Sequence, residues 1–354
     1  MTTGARGPNG PGSKRRHPTI VDVAERAGVS KSLVSLVMRG SPNVSDEKRD
    51  AVTRAAEEIG YRPNAVARSL VRRRSFVIGV MVSDLHNPYF TEVIDGIEAA
   101  ARAAGYHALF NSGGRTAAGE TEAIDTLLQL RTDGVVMAGP VLATRKIADV
   151  AASVPVVVVA RHSRSPAHDS ITNDDRMGAH LAVDHLVALG HRHIAHVDGG
   201  SGAGAAQRLA GFLEAMARHG LETSATVVPG SFTEEGGREG VTALLEERDR
   251  VTGIFVGNDL AAVGALDALH HHALRVPGDV SLVGYDNIAL AGLGHINLTT
   301  IDQPRREMGV TAVRLLLERR DEDRRKARHL VVPPSLVVRG STGPPPEGTR
   351  APAG

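Results

Sequence analysis

The chain has 354 residues, 42% of them apolar, and no cysteine; it can supply several packed cores but excludes disulfides, thiolate catalysis and cysteine metal ligands. Fifteen lysines and arginines face seven acids over 1–74, whereas 26 basic residues face 33 acids over 75–354, so a basic head is set against an acidic body. That split directs one end toward a polyanion and keeps the remainder off it.

Residues 1–17, rich in Gly, Pro and Arg, read as a loose leader. Thr19 then caps a helix whose Ile20, Val23, Ala24 and Ala27 recur on one face, and Gly28 ends it. Ser30 caps a second helix with Val34, Val37 and Met38 turned inward and Lys31, Ser32, Ser35 and Leu36 turned away. A third helix from about Ser45 buries Val52, Ala55, Ala56 and Ile59. Three short helices about one core, over 18–62, predict helix-turn-helix geometry. The outward face of the second helix then enters the DNA major groove, where Lys31, Ser32, Ser35 and Leu36 reach base edges or phosphates. Arg39 and Arg49 suit phosphates, and Thr19 joins the DNA-contact candidates. The alternative for Leu36 is a place in the local core.

Over 63–75, Pro63 before Asn64 predicts a helix to about Leu70, followed by Arg72, Arg73 and Arg74. So short a helix is not stable alone. A second copy of itself and a DNA minor groove would support it, with Asn64 and Arg68 as further DNA contacts and Leu70 as a wedge between base steps. The alternative is a charged interdomain linker.

From residue 76 short apolar strands alternate with amphipathic helices. Strands are predicted over 76–82, 107–110, 134–137 and 155–159, with helices over 90–103, 118–130 and 143–152. After Asp175 a second series follows: strands over 194–197, 225–228, 253–256 and 281–283, with helices over 177–189, 206–218, 234–246 and 260–270. A return helix over 305–319 and strands over 330–332 and 336–338 complete the lobes, and 341–354 reads as a loose tail. The expected fold is a small all-α helix-turn-helix head followed by an α/β two-lobed core over 76–340; one continuous sheet is the alternative. The run Leu315, Leu316 and Leu317 packs internally or supports dimerisation.

Ligands of parallel sheets gather beyond the carboxyl ends of the strands, so two facing lobes predict a polar cleft. Asp84, Asn87 and Phe90 follow the first strand, Arg161 the fourth, Asn173 and Asp174 sit near the crossover, Arg208 opens a later helix, and Asn258 and Asp286 follow later strands. These nine are the effector-site candidates. Each has a structural alternative: Asp84 and Asn87 in their own turn, Phe90 in the core, Arg161 and Arg208 bridging acids, Asn258 capping a helix, Asp286 ordering its loop. The mixture fits a polyol or sugar, while a nucleoside or phosphorylated metabolite stays open.

The segments Thr-Ile-Val-Asp-Val-Ala-Glu-Arg-Ala-Gly-Val-Ser, Gly-Tyr-Arg-Pro-Asn-Ala-Val-Ala-Arg-Ser-Leu, Asn-Pro-Tyr-Phe and Val-Gly-Tyr-Asp-Asn, in this order over roughly 18–340, resemble the lactose-repressor family of bacterial transcription regulators. The resemblance implies a homodimer, a hinge helix, a periplasmic-binding-protein-like effector core and a pseudo-palindromic operator. It puts Lys31, Ser32 and Leu36 at the base-reading positions and Leu70 at the minor-groove wedge. Ligand commonly touches the Phe90 and Arg208 positions in that family, lies near Arg161, and finds an acceptor at Asp286. Leu36 and Arg39 stand where many relatives carry arginine and asparagine, so no operator sequence is carried over. Gly202 and Gly204 replace an arginine and a threonine of the purine-sensing members, which disfavours a purine.

Other chemistries lack their motifs. The glycine loop over 199–204 has neither the lysine of a phosphate loop nor the last glycine of a dinucleotide fingerprint, and His191, His193 and His196 have no completing zinc ligand. No cofactor, no metal and no turnover are expected. No stretch reaches membrane-spanning length, and the expectation is a cytoplasmic regulator; a cytoplasmic sugar-binding protein or a sugar-modifying enzyme is the alternative function.

Overall fold

The computed structural model describes residues 18–61, 74–247, 251–322 and 324–347. The chain divides into two compact units between Ser75 and Phe76.

In the first unit, α1 (Ile20–Ala27) begins at a reciprocal cap: the Thr19 hydroxyl accepts from the Asp22 amide, and the Asp22 carboxylate accepts from the Thr19 amide at 2.6 Å. It ends at Gly28, whose φ of 65° is the left-handed conformation that glycine adopts without steric cost. α2 (Lys31–Met38) is capped by Ser30, which accepts from the Leu33 amide at 3.2 Å, and α3 (Asp46–Glu58) closes the group. Val23, Val34, Val37, Val52, Ala55 and Ala56 form the core together with Val44, a loop residue outside the helical periodicity. Replacing Thr19 with alanine is expected to lower the stability of this unit by about 1 kcal/mol, read from its thermal unfolding, because the Asp22 amide loses its acceptor and the Asp22 carboxylate loses the hydroxyl donor.

The second unit holds two six-stranded sheets. In the first, β1 (Val77–Val82), β2 (His107–Ser112), β3 (Val135–Ala138), β4 (Val156–Val159), β5 (Asp169–Asn173) and β11 (His329–Val332) run parallel in the order β11-β5-β4-β3-β1-β2. In the second, β6 (Ile194–Val197), β7 (Ala225–Val228), β8 (Gly253–Val256), β9 (Ser281–Asp286), β10 (Thr299–Asp302) and β12 (Ser335–Val337) follow the order β12-β10-β9-β8-β6-β7, with β12 antiparallel at the edge. Two separate sheets exclude the single-sheet alternative. Helices α4 (Tyr89–Ala103), α5 (Ala117–Gln129), α6 (Thr144–Ala151) and α11 (Arg305–Asp321) cover the first sheet. Helices α7 (Asp175–Ala188), α8 (Ala205–Arg218), α9 (Glu234–Glu247) and α10 (Asp259–His271) cover the second. With both faces covered, β1, β3, β4, β6 and β8 read as nearly unbroken apolar runs.

Strands β5 and β10 have no counterpart in the sequence reading. Their residues, Asp-Ser-Ile-Thr-Asn and Thr-Thr-Ile-Asp, carry no apolar run, yet β5 is buried throughout. Its Asp169 is fully buried because Arg319 pairs with it at 3.2 Å and Arg324 at 2.5 Å. Long-range ion pairs thus replace the local apolar signal.

The chain passes between lobes three times: after β5, after β10, and between β11 and β12. α4 and α11 approach closely beside the middle crossing. A Cβ on Gly96 would fall 2.2 Å from the Arg306 carbonyl oxygen, and one on Gly309 would fall 2.2 Å from that of Val93. Leu315 and Leu316 are buried and Leu317 packs against the same core, so that leucine run serves internal packing.

The expected loose tail is corrected over 341–347. Ser341 is buried, its hydroxyl accepting from the Thr299 amide at 2.8 Å and donating to the Leu282 carbonyl at 2.6 Å. Gly343 bonds Ser281 and His191. Hydrogen bonds to the starts of β9 and β10 hold a segment whose composition alone reads as coil. Residues 348–354 and the leader 1–17 lie outside the described residues.

Candidate functional site

Two surfaces answer to the candidate residues. On the first unit, α2 presents Lys31 and Ser32 as exposed side chains, with Arg39 exposed beyond its end and its Nε donating to the Ser35 carbonyl at 3.0 Å. Ser35 is half-buried. Leu36 is half-buried as well and packs against the helical core, which corrects the expectation that it points away. The Thr19 hydroxyl is engaged in the cap of α1, and Arg49 donates to the Ser41 carbonyl at 2.8 Å. Asn64, Arg68 and Leu70 lie outside the described residues.

The second surface is a cleft of about 400 Å³ between the lobes of the second unit, at the carboxyl ends of their strands. Asp84, Asn87, Phe90, Arg208, Asn258 and Asp286 all line it. Several also hold the local roles weighed above. Asp84 accepts from the His86 amide at 2.9 Å, Asn87 from the Tyr89 amide at 3.0 Å, and Asn258 caps α10 through the Ala261 amide at 2.9 Å. Capping leaves the Asn258 amide nitrogen buried and without a partner, a donor held at the cleft wall.

Arg208 is the electrostatic centre. It is 5% exposed; its Nε donates to Asp175 at 3.0 Å, its Nη1 donates to the Gly257 carbonyl and lies 3.7 Å from Asp286. Its guanidinium lies 3.7 Å from the centre of the Tyr285 ring and 5.1 Å from that of Phe232. Asp286 also accepts from the Gln303 amide at 2.6 Å. Burial pushes the Asp286 carboxyl up to about 6 against the opposing pull of Arg208 and Arg305. Behind it, Asp259 is fully buried and pushed up to about 8, first by burial and then by the neighbouring Asp286 charge.

Three candidates lie off the cleft wall. Arg161 turns its guanidinium onto the loop after β3, donating to the carbonyls of Pro140, at 3.0 Å, and Leu142. The carboxylate of buried Glu120 accepts the Val141 and Leu142 amides at 2.9 Å from the other side, so Arg161 and Glu120 jointly fix that loop. Asn173 sits behind the cleft, bonded to the Tyr285 hydroxyl. Asp174 caps α7, accepting from the Met177 amide at 3.0 Å, and it is the next residue, Asp175, that enters the cleft. Assigning the cap to Asp174 would have identified Asp175 from sequence.

Phe232, Gln303 and Arg115 also line the cleft without having been singled out. The Phe232 ring rests on Gly199 and Gly202, where a Cβ would fall 2.0 and 2.3 Å from it. Those glycines therefore admit a ring of the protein itself. An aromatic just beyond a strand, in a chain with 3% aromatic residues, was the signal for it. Two of the histidines weighed as metal ligands are structural: His191 is buried among Thr252, Ser281 and Gly343, and His196 stacks between Phe212 and Phe255. No group of metal-ligating residues occurs among the described residues, and none of their helices is long and apolar enough to cross a membrane.

Residues 19–64 match the family model for bacterial regulatory proteins of the lacI family, and residues 183–342 match that for a periplasmic binding protein-like domain. The ribose operon repressor of Haemophilus influenzae is 35% identical over 91% of this chain and 98% of its own length. The lac repressor dimer, solved bound to operator and an anti-inducer, is 33% identical over 93% of this chain and 100% of its own, with a TM-score of 0.83. A lacI-family regulator from Enterococcus faecium, solved with bound ribose, is 29% identical over 76% of this chain and 99% of its own, with a TM-score of 0.68.

Proposed function

Because this chain belongs to the lacI family of bacterial regulatory proteins, it is a DNA-binding transcriptional regulator and not an enzyme, and we propose that a small polar effector, a sugar or derivative, controls it through the interlobe cleft. The carrying observation is the cleft itself, where the buried Arg208 cation, the Asp286 carboxylate, the unpartnered Asn258 amide and the Phe90 ring face one space. Donors, acceptors and an aromatic face in one enclosure suit hydroxyls on an apolar ring. Asp84 and Asn87 complete the contact set on the first lobe.

In this reading the protein acts in the cytoplasm as a repressor and a homodimer, so that two heads meet successive major grooves of a pseudo-palindromic operator. The segment 63–75 is the hinge helix and linker, with Asn64, Arg68 and Leu70 on DNA. Lys31, Ser32 and Leu36 read bases, Leu36 through the part of its side chain left outside the core, while Thr19, Ser35 and Arg39 lie along the backbone path. Effector binding alters lobe closure, separates the hinges and releases DNA.

Operator protection by the full chain, titrated at fixed salt with ribose and cellobiose, tests this. Release by one of these sugars without its chemical conversion is the expected result; an effector that tightens binding overturns the direction, and a product overturns the regulator reading. Lys31→Ala is expected to weaken specific operator binding by about 1–3 kcal/mol, measured against a scrambled duplex.

A further inference from the structure

We propose that the cleft selects its effector by charge, taking an uncharged ligand and refusing an anionic one, because Asp175 already fills the anion position that Arg208 and the start of α8 create. This inference rests on the effector reading above.

Helices that follow parallel strands turn their amino ends toward the cleft, an arrangement that invites phosphate. Here three of the helix starts that follow strands are occupied by the protein's own oxygens. Asn258 caps α10; the Thr116 hydroxyl accepts from the Gly119 amide at 3.0 Å and caps α5; Asn87 takes the Tyr89 amide of α4. α8 has only Gly204 at its start and no side-chain cap. Against Gly204 lies Asp175: a Cβ there would fall 3.0 Å from its Oδ2. The same carboxylate, 2% exposed, binds the Arg208 Nε at 3.0 Å and lies 3.5 Å from His162.

The charge balance of the wall follows. Asp175 and Asp286 bracket the single Arg208 cation in the depth of the cleft, while Asp84 and Arg115 offset one another at 3.6 Å nearer solvent. An entering phosphate would bring a third anion into a space lined by two desolvated carboxylates and one guanidinium, the Arg305 charge behind Asp286 being already paired with Glu92 and Asp302. A hydroxyl meets no such opposition: it accepts from the buried Asn258 amide nitrogen and donates to a carboxylate.

Calorimetric titration of the full chain with ribose, ribose 5-phosphate and inorganic phosphate, at constant ionic strength and pH 7.5, tests the proposal. Ribose 5-phosphate is expected to bind at least tenfold more weakly than ribose. Asp175→Asn is expected to narrow that ratio and to gain uptake of inorganic phosphate over the wild-type chain, and Asp286→Asn to shift both in the same direction, which keeps the test open should one variant not fold. The proposal is overturned if ribose 5-phosphate binds within threefold of ribose or more tightly, or if folded variants take up inorganic phosphate as the wild-type chain does. If neither sugar form binds, the sugar reading falls on its own, and the phosphate comparison between wild type and variants still decides the charge selection.

Discussion

Arg208→Met lowers the stability of the two-lobed unit by about 3–5 kcal/mol, the expected cost of breaking a buried ion pair by removing one partner. Methionine keeps the apolar stem but not the planar guanidinium, so the charge and its contacts with the Tyr285 and Phe232 rings are lost together. Asp175 and Asp286, 2% and 3% exposed, are then left facing one another without their shared cation. The Gly257 carbonyl loses its donor too. Urea unfolding followed by circular dichroism measures the loss. Adding Asp175→Asn and Asp286→Asn to the methionine variant should recover at least half of it, because the penalty lies in the stranded carboxylates rather than in missing volume. A single-variant loss below about 1 kcal/mol would show that solvent reaches these carboxylates, and the electrostatic account of the cleft would fall.

Stability of the same unit should decline by about 2 kcal/mol as pH rises from 6.5 to 8, and Asp259→Asn should abolish the decline. Asp259 is held near 8 by burial and by Asp286, far above its ordinary value in an unfolded chain. A folded-state value raised in this way means that the native protein binds a proton the unfolded chain does not. Its stabilisation is complete below about pH 4 and is lost as pH rises through about 8. Asp286, pushed up to about 6, acts in the same direction over a lower range. Burial acts oppositely on His168 and His196, both pushed down to about 4, so that the unfolded chain binds their protons first between 4 and 6.5 and stability there rises with pH. The carboxyl and imidazole contributions therefore oppose one another below about 6.5, and above it Asp259 acts with little opposition. Thr300, 2.5 Å from the Asp259 carboxyl, and the Ile288 amide at 2.9 Å are the neighbours that asparagine must still satisfy. A wild-type profile that stays flat from pH 6.5 to 8 would contradict a protonated Asp259.

Much of this protein was legible from local signals. Thr19, Gly28 and Ser30 mark helix ends through bonds that span three or four residues, so they can be read without knowing the fold. The strands Ile194–Val197 and Gly253–Val256 match their expected bounds because both sheet faces are covered there, and an apolar run between turn residues has few other readings; Ala225–Val228, at the sheet edge, matches as well. The carboxyl ends of strands likewise located the cleft, since parallel topology sends the chain there regardless of which side chains follow.

What escaped was decided by partners distant in sequence. β5 is a strand because Arg319 and Arg324, about 150 residues later, neutralise its Asp169, and 341–347 is ordered because the starts of β9 and β10 offer it hydrogen bonds. Arg161, expected at the cleft, turns away from it, and Asp175, which was not among the candidates, enters it for the same reason: adjacent loops offer carbonyls to the one, and Arg208 draws the other inward. The amino-acid order by itself determined the head, the alternation of strands and helices, and the end of the lobes at which a ligand enters. Only the folded chain decided which charged side chains face that ligand, because a buried charge is set by the partner it meets across the core, and no short-range periodicity records that meeting.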